Sequence, residues 1–302
     1  MDITVIICAH NPDPGRLFRT FDALRVQTLL SSKWNCVLVD NASTAIIYPS
    51  DMENLRVVEE PQMGLSFARR RGLREASGSL CIFVDDDNVL DPNYLEWSLK
   101  IAMDHPRIGM FGGRVQPEFE VPVADWQHEF LGLLAVRDLG EFPIIASSRA
   151  PIKEYPSCAP IGAGMVLRRE AAQAWLDAPQ NSLTDRCGGN LTSGGDNDIV
   201  LTLIEAGWDA AYFPGLTLTH LIPSSRLVLG YLGRLNEDVQ RSWIRVLSLH
   251  GLCPWSAIAP WTVSIRSARA WVRHRAWVGP AQYVRWRGAK GHFLGLADID
   301  LP

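Results

Sequence analysis

Leu80-Cys81-Ile82-Phe83-Val84-Asp85-Asp86-Asp87 places five consecutive apolar residues directly before three carboxylates. An apolar run this short, closed by a polar cluster, reads as a strand buried on both faces of a sheet. Toward the amino terminus, segments 3–9, 35–40 and 55–59 have the same character, and two of them run into Ala9-His10-Asn11 and Asp40-Asn41-Ala42-Ser43. Helical spacing lies between them: Leu17, Phe21 and Leu24 mark a helix over 14–27, and a second helix is predicted over 64–76. Asp91-Pro92 signals another helix, with Asp91 as its cap and proline in its first turn. Strands alternating with helices predict an α/β fold, a mainly parallel open sheet flanked by helices. Such sheets bind ligands at the carboxyl ends of their strands, so the polar tails are the candidate site.

Further along, 161–168 reads as a strand, 196–206 as a helix, and 226–250 as a long amphipathic helix with Tyr231, Leu232, Leu235, Val239, Trp243 and Val246 on one stripe. Segment 121–157 shows no regular pattern. The expected organisation is a ligand-binding and catalytic domain over residues 1–225 and a helical, basic, tryptophan-rich C-terminal extension over 226–302.

The chemistry concentrates at three places. Like charges as close as Asp85, Asp86 and Asp87 repel unless a cation or water absorbs them. If the strand continues through them, alternation turns Asp85 and Asp87 toward one site and Asp86 toward another. Two carboxylates together with diphosphate oxygens suit Mg²⁺ or Mn²⁺; a solvated acidic turn is the plain alternative. Gly194-Gly195-Asp196-Asn197-Asp198-Ile199 then enters an apolar helix, where either aspartate serves as a helix cap or as a general base for an acceptor hydroxyl. His220 ends the apolar run Leu216-Thr217-Leu218-Thr219, either as a hydrogen-bonded structural residue or as an imidazole added to the aspartate site, which suits Mn²⁺.

Taken together, these pieces resemble the family 2 glycosyltransferases of the GT-A fold, over about residues 3–245. Ala9, His10 and Asn11 are similar to that family's first nucleotide-contacting segment, and Asp40 with Asn41 to its second. Gly64 to Arg69 resembles its glycine-to-Ala-Arg segment, although Arg70 stands where the family usually has asparagine. Asp85-Asp86-Asp87 resembles its Asp-x-Asp signature, which implies donor contacts for Asp85 and Asp86 and a metal ligand at Asp87. Gly195 to Ile199 resembles its Glu-Asp-x-x-Leu element with glycine in place of the glutamate, which puts the base at Asp196; His220 matches its metal-ligand histidine. The resemblance implies an inverting glycosyltransferase that uses a divalent metal, Mn²⁺ or Mg²⁺, and a nucleotide-sugar donor. A UDP-sugar is favoured, with a glycan or lipid-linked acceptor in surface polysaccharide synthesis. Segment 121–157 is then expected to shape acceptor choice.

Whole-chain composition fits this and narrows the rest. The net charge of −4 gives no nucleic-acid signature, and 47% hydrophobic with 21% charged residues supports a packed core. Met1-Asp2 leads straight into the first apolar run without a leader pattern, and no run reaches the ~20 residues that span a bilayer. The six cysteines, Cys8, Cys36, Cys81, Cys158, Cys187 and Cys253, have no close paired spacing, so a reducing cytoplasm is expected. From Arg266 to Lys290 the tail has seven Arg and Lys residues and no Asp or Glu, with Trp271, Trp277 and Trp286 among them. Such a segment suits peripheral contact with an anionic membrane surface, or a solvated face whose tryptophans pack on the catalytic domain. Nucleic-acid motifs are absent. Two rival readings are a catalytically silent nucleotide-sugar-binding protein and a haloacid-dehalogenase-like phosphatase.

Overall fold

The structure, a computed structural model, describes residues 2–45, 48, 51–149, 152–179, 191 and 193–299. It divides into two compact units. The first comprises Met1–Glu118, Ala135–Asn181 and Asp196–Leu221; the second comprises Phe119–Leu134, Ser182–Gly195 and Ile222–Pro302.

In chain order the first unit carries β1 (Ile3–Ala9), α1 (Pro14–Arg25), β2 (Trp34–Asp40), β3 (Leu55–Glu59), α2 (Leu65–Glu75), β4 (Leu80–Asp85) and β5 (Asn88–Leu90). Next come α3 (Tyr94–Asp104), β6 (Ile108–Phe119), β7 (Ile144–Ala146), β8 (Val166–Arg168), α4 (Arg169–Asp177), α5 (Gly195–Glu205) and β9 (Asp209–Ile222). One nine-stranded sheet joins the strands in the order β3-β2-β1-β4-β8-β6-β9-β5, with β7 on β9. The expected parallel sheet is its amino-terminal part: β1 pairs in parallel with β2 and β4, and β2 with β3. Beyond β4 the pairings β4–β8, β6–β8, β5–β9 and β7–β9 are antiparallel, so the sheet as a whole is mixed.

Continuous apolar runs are needed because both faces of the sheet are covered. Val5, Ile7, Ile82 and Val84 lie in one buried cluster with Leu17 and Phe21 of α1 and Tyr94 of α3. Their neighbours Ile6, Val37 and Phe83 lie in a second cluster with Leu73 of α2, Trp175 of α4 and Ile199 of α5. Alternate residues thus feed opposite helical layers.

Helix starts follow local chemistry. Asp13 caps α1, its Oδ1 accepting the Arg16 amide at 3.0 Å with Pro14 at the first position. The helix expected to open at Asp91-Pro92 begins instead at Tyr94, after Asn93. Asp91 Oδ1 accepts the Asn93 amide at 2.9 Å, so Asp91 shapes the turn before the helix. The strand expected over 161–168 is confined to Val166–Arg168.

The second unit contains a 3-10 segment Asp125–Leu134 and helices α6 (Leu229–Leu249), α7 (Thr262–His274) and α8 (Pro280–Ala297). Helices α6 and α8 meet through glycines: a Cβ on Gly291 would lie 2.0 Å from the Glu237 carbonyl oxygen, and one on Gly288 2.5 Å from Asn236. Arg287 and Lys290 of α8 both reach Glu237 of α6, at 2.5 and 3.1 Å. Trp271 of α7 and Trp286 of α8 stack edge to face at 4.7 Å. Of the cysteines, Cys36, Cys81 and Cys158 are buried free thiols, Cys8 and Cys253 are half-buried, and Cys187 lies outside the described residues.

Candidate active site

The tails of β1 and β2 are laced together by their own polar side chains. Ala9 lies opposite Asp40 in the ladder. Beyond it, His10 Nδ1 donates to the Asn41 carbonyl at 2.7 Å, and Asn11 Nδ2 donates to His10 Nε2 at 3.1 Å. Asn11 has φ 47°, a left-handed conformation that asparagine tolerates, and its Oδ1 accepts the Thr44 amide at 2.8 Å. Asp40 Oδ1 accepts the Ser43 amide at 3.0 Å.

Asn41 is buried and has a holding role. Its Nδ2 donates to the carbonyls of Glu60 and Gln62 at 3.0 and 2.7 Å, and its Oδ1 accepts the Gly64 amide at 2.8 Å. It therefore fixes the loop that delivers α2. Gly64 caps that helix at φ 139°, a conformation a side chain would strain. One turn on, the buried Arg69 guanidinium lies 5.3 Å over the Phe83 ring. It also lies against Gly162, where an added Cβ would sit 2.2 Å from Nη2.

The acidic cluster does not continue the strand. Strand β4 ends at Asp85, and Asp86 with Asp87 forms the turn into β5, so the alternation expected to aim Asp85 and Asp87 together does not apply. Asn88 closes the turn: its Oδ1 accepts the Asp85 amide at 3.1 Å and its Nδ2 donates to Asp87 Oδ1 at 3.2 Å. Strand β5 pairs with β9 so that Asn88 stands opposite His220, and the Leu221 amide donates to the Asp87 carbonyl at 2.9 Å. That register brings His220 Nε2 to 3.4 Å from Asp87 Oδ1. Both residues are buried, at 4% and 3% exposure, while Asp85 and Asp86 are half-buried. At the end of β1, burial pushes the Cys8 thiol up to about 12; the Arg69 charge opposes that shift and those of Asp85 and Asp86 add to it.

The start of α5 divides its two aspartates. Asp198 is buried, and its Oδ2 accepts the Trp175 indole N–H at 2.7 Å. Arg70 stacks 4.2 Å over the same indole ring; burial lowers its pKa, and the Asp198 charge works against that shift. Asp196 is half exposed, its Oδ2 accepting the Gly162 amide at 3.1 Å and its Oδ1 the Asn197 amide at 3.0 Å. Each carboxylate oxygen has a further lone pair to offer. Tyr155 donates to Asn197 Oδ1 at 2.8 Å, and burial, then the Asp196 charge, pushes its phenol well above the ordinary value.

The structure thus brings together Asp87 with His220, Arg69 with Gly162 and Asp196, and the tails of β1 and β2. The chemistry of Asp87 and His220 fits a divalent cation: a buried carboxylate and an imidazole from two strand ends. Among the described residues no cluster of three or more His, Cys, Asp and Glu side chains forms such a centre, so further donors would come from a bound ligand and water. Sequence reasoning missed Gly162, Tyr155 and Trp175. The closely spaced glycines of Pro160-Ile161-Gly162-Ala163-Gly164 were the one signal available for this loop.

Comparison with known proteins gives a consistent picture. A family model described as "Glycosyl transferase family 2" matches residues 4–176, a stretch that holds Asp85 to Asp87 and stops short of Asp196 and His220. The uncharacterized protein y4gI of Sinorhizobium fredii is 26% identical over 159 residues, which are 46% of this chain and 17% of that protein. Glycosyltransferase AglE of Haloferax volcanii is 28% identical over 127 residues, 40% of each chain. The matched stretches therefore span less than half of both curated relatives. Among solved structures, residues 1–349 of S. aureus TarS in complex with UDP superpose with TM-score 0.54 at 12% identity, covering 97% of this chain and 89% of that one. The same protein in complex with UDP-GlcNAc gives 0.54 at 12%, covering 97% and 90%. At that identity the likeness establishes the fold.

Proposed function

This chain belongs to glycosyl transferase family 2, and from that membership we propose that it moves a sugar, with inversion, from a nucleotide-sugar donor to a hydroxyl of a glycan or lipid-linked acceptor. Membership sets aside the phosphatase alternative. The observation that carries the proposal is the buried contact of Asp87 with His220 at 3.4 Å, formed where β5 and β9 pair. A UDP-sugar is the favoured donor, supported by the TarS complexes with UDP and UDP-GlcNAc, and surface polysaccharide synthesis is the setting proposed.

The donor nucleotide lies along Ala9, His10, Asn11 and Asp40, with Asn41 and Gly64 holding the loop beneath it. Arg69, Asp85 and Asp86 face the diphosphate and sugar. Asp87 and His220 would hold a divalent cation, Mn²⁺ or Mg²⁺, which would supply positive charge to the diphosphate leaving group. Asp196, the half-exposed aspartate of α5, accepts the proton of the acceptor hydroxyl. The hydroxyl oxygen forms a bond to the anomeric carbon while the bond from that carbon to the diphosphate oxygen breaks. The electron pair leaves with the nucleoside diphosphate, and a single displacement inverts the anomeric centre.

A membrane surface is proposed as a partner of the second unit. No helix among the described residues is long and apolar enough to cross a bilayer. Helix α7 and the residue before it nevertheless expose Trp261 at 74%, Ile265 at 48% and Val272 at 62% on one stripe, with basic residues alongside. That pattern lies in an interface.

Donor binding and hydrolysis across a panel of nucleotide sugars, with and without Mn²⁺ or Mg²⁺, test the proposal on the parent, Asp87→Asn and Asp196→Asn proteins. Asp87→Asn is expected to abolish the metal dependence. Asp196→Asn is expected to keep donor binding and lose transfer by a factor on the order of 10²–10⁴. Near-normal transfer by folded Asp196→Asn protein would sink the base assignment. Donor binding indifferent to metal and to Asp87 would sink the metal site.

A further inference from the structure

The second unit contains a cavity of about 820 Å³ that the transferase reading leaves unused. Its size falls within the ~300–1,000 Å³ of small-molecule sites. One wall is helix α7, whose exposed Arg266, Arg269 and Arg273 line the open side of the cavity from successive turns of one face. The facing walls, from the segment Asp125–Leu134 and from α8, contribute the apolar side chains of Phe130, Leu133, Ala289 and Phe293.

Among the described residues, no carboxylate pairs with Arg269 or Arg273 on this wall. Glu129 is the carboxylate in the lining, and it is taken by Arg285, whose Nε donates to Glu129 Oε1 at 2.7 Å. Arg266 Nε donates to Thr262 Oγ1 at 3.2 Å, a neutral partner. Among the described residues, Arg269 and Arg273 have no hydrogen-bonded or ion-paired partner. All three arginines are exposed, and like charges on adjacent turns of a helix repel weakly, a cost that an anion among them relieves. Guanidinium groups favour phosphate oxygens, which they meet in a planar, paired geometry. Burial lowers the pKa of His292, which also lines the cavity, and adds to its uncharged, apolar side.

We propose that this cavity binds a phosphate-bearing amphiphile, the phosphate on Arg269 and Arg273 and the hydrocarbon against Phe130, Leu133 and Phe293. A lipid-linked acceptor has this chemistry, and the proposal rests on the transferase reading for that role alone. The exposed stripe of Trp261, Ile265 and Val272 lies on another side of α7, so the same helix can rest on a membrane and turn its arginines to a lipid phosphate.

Isothermal titration of the full chain with geranyl phosphate, geraniol and inorganic phosphate, below the micelle concentration, tests this directly and requires no catalysis. Geranyl phosphate is expected to bind saturably, at least about tenfold tighter than either fragment. Arg269→Ala and Arg273→Ala are each expected to weaken it by about tenfold, the loss of one charge-assisted contact. Arg234→Ala, which removes an exposed charge of α6 outside the cavity, is expected to bind as the parent does. Absence of saturable binding would overturn the proposal. So would inorganic phosphate binding as tightly as geranyl phosphate, or equal losses in Arg269→Ala and Arg234→Ala.

Discussion

Asp196 and Asp198 stand two residues apart, and sequence alone offers both as cap or base. Burial separates them. Asp198 faces the second apolar layer of the sheet and accepts the Trp175 indole N–H at 2.7 Å, while Asp196 stays half exposed on the Gly162 and Asn197 amides. Replacing Asp198 by alanine leaves a buried indole N–H without its acceptor, and a hydrogen bond to a charged group contributes about 1.5–3 kcal/mol. Asp198→Ala is therefore expected to lose about that much stability, measured by urea denaturation. Asp196→Asn is expected to unfold at nearly the parent's midpoint while losing transfer. The opposite pattern would exchange their roles. The same logic applies to Asn41, whose type and place in Asp40-Asn41-Ala42-Ser43 were legible as a site segment. Its buried bonds to Glu60, Gln62 and Gly64 come from a loop that local sequence cannot position.

At the scale of elements, legibility followed the continuity of the apolar run. Strands β1, β2 and β4 announce themselves because each is an almost unbroken buried segment, and β3 by its short β-branched run at the sheet edge. Strand β6 does not: Gly112-Gly113 and Pro117 interrupt its twelve residues. Gly113 is there because a Cβ would lie 1.9 Å from the Leu216 carbonyl oxygen, so close approach of another chain segment dictated the residue that hides the strand. Helix α8 lies in the extension expected to be helical, but its bounds went unread for a similar reason. Its glycines sit where α6 comes closest, which replaces the usual apolar stripe with small residues. Gly291→Ala would press a methyl into the Glu237 carbonyl at 2.0 Å and is expected to destabilise the protein by about 1–3 kcal/mol, the cost of overpacking. Gly230→Ala, in an exposed turn of α6 with open space around it, is expected to stabilise by about 0.5–1 kcal/mol. Denaturant midpoints for the two variants check both signs. A neutral Gly291→Ala would mean that α6 and α8 are not in this close contact.

At the scale of the whole molecule, the segment expected to be hardest to read, 121–157, is shared between the units: Phe119–Leu134 belongs to the second and Ala135–Asn181 to the first. No single-segment reading could have divided it that way. The basic tail is part of a helical unit with its own internal contacts. Trp271 and Trp286 are used inside it, and Trp261 and Trp277 are exposed. If the exposed stripe meets a bilayer, the full chain should float with vesicles containing phosphatidylglycerol and less with phosphatidylcholine alone. An Ile265→Glu, Val272→Glu double variant should stay in the soluble fraction. Added salt should weaken binding, since each basic residue near an anionic surface contributes about 1 kcal/mol. Equal flotation of parent and double variant would remove the membrane from the account.

The sequence by itself determined the α/β class, the four leading strands and the carboxylates at their ends. These are consequences of local physics: a short apolar run must be buried, and the polar residues that end it mark where the chain reaches water. Tertiary structure alone decided that β8, β6, β9 and β5 extend the sheet, with β8 antiparallel to β4 and β6 and β5 antiparallel to β9, and which aspartate of α5 is buried. It also brought His220 to Asp87, through the register of β5 on β9. Strand direction, register and burial depend on partners distant in the chain, and no local pattern contains them.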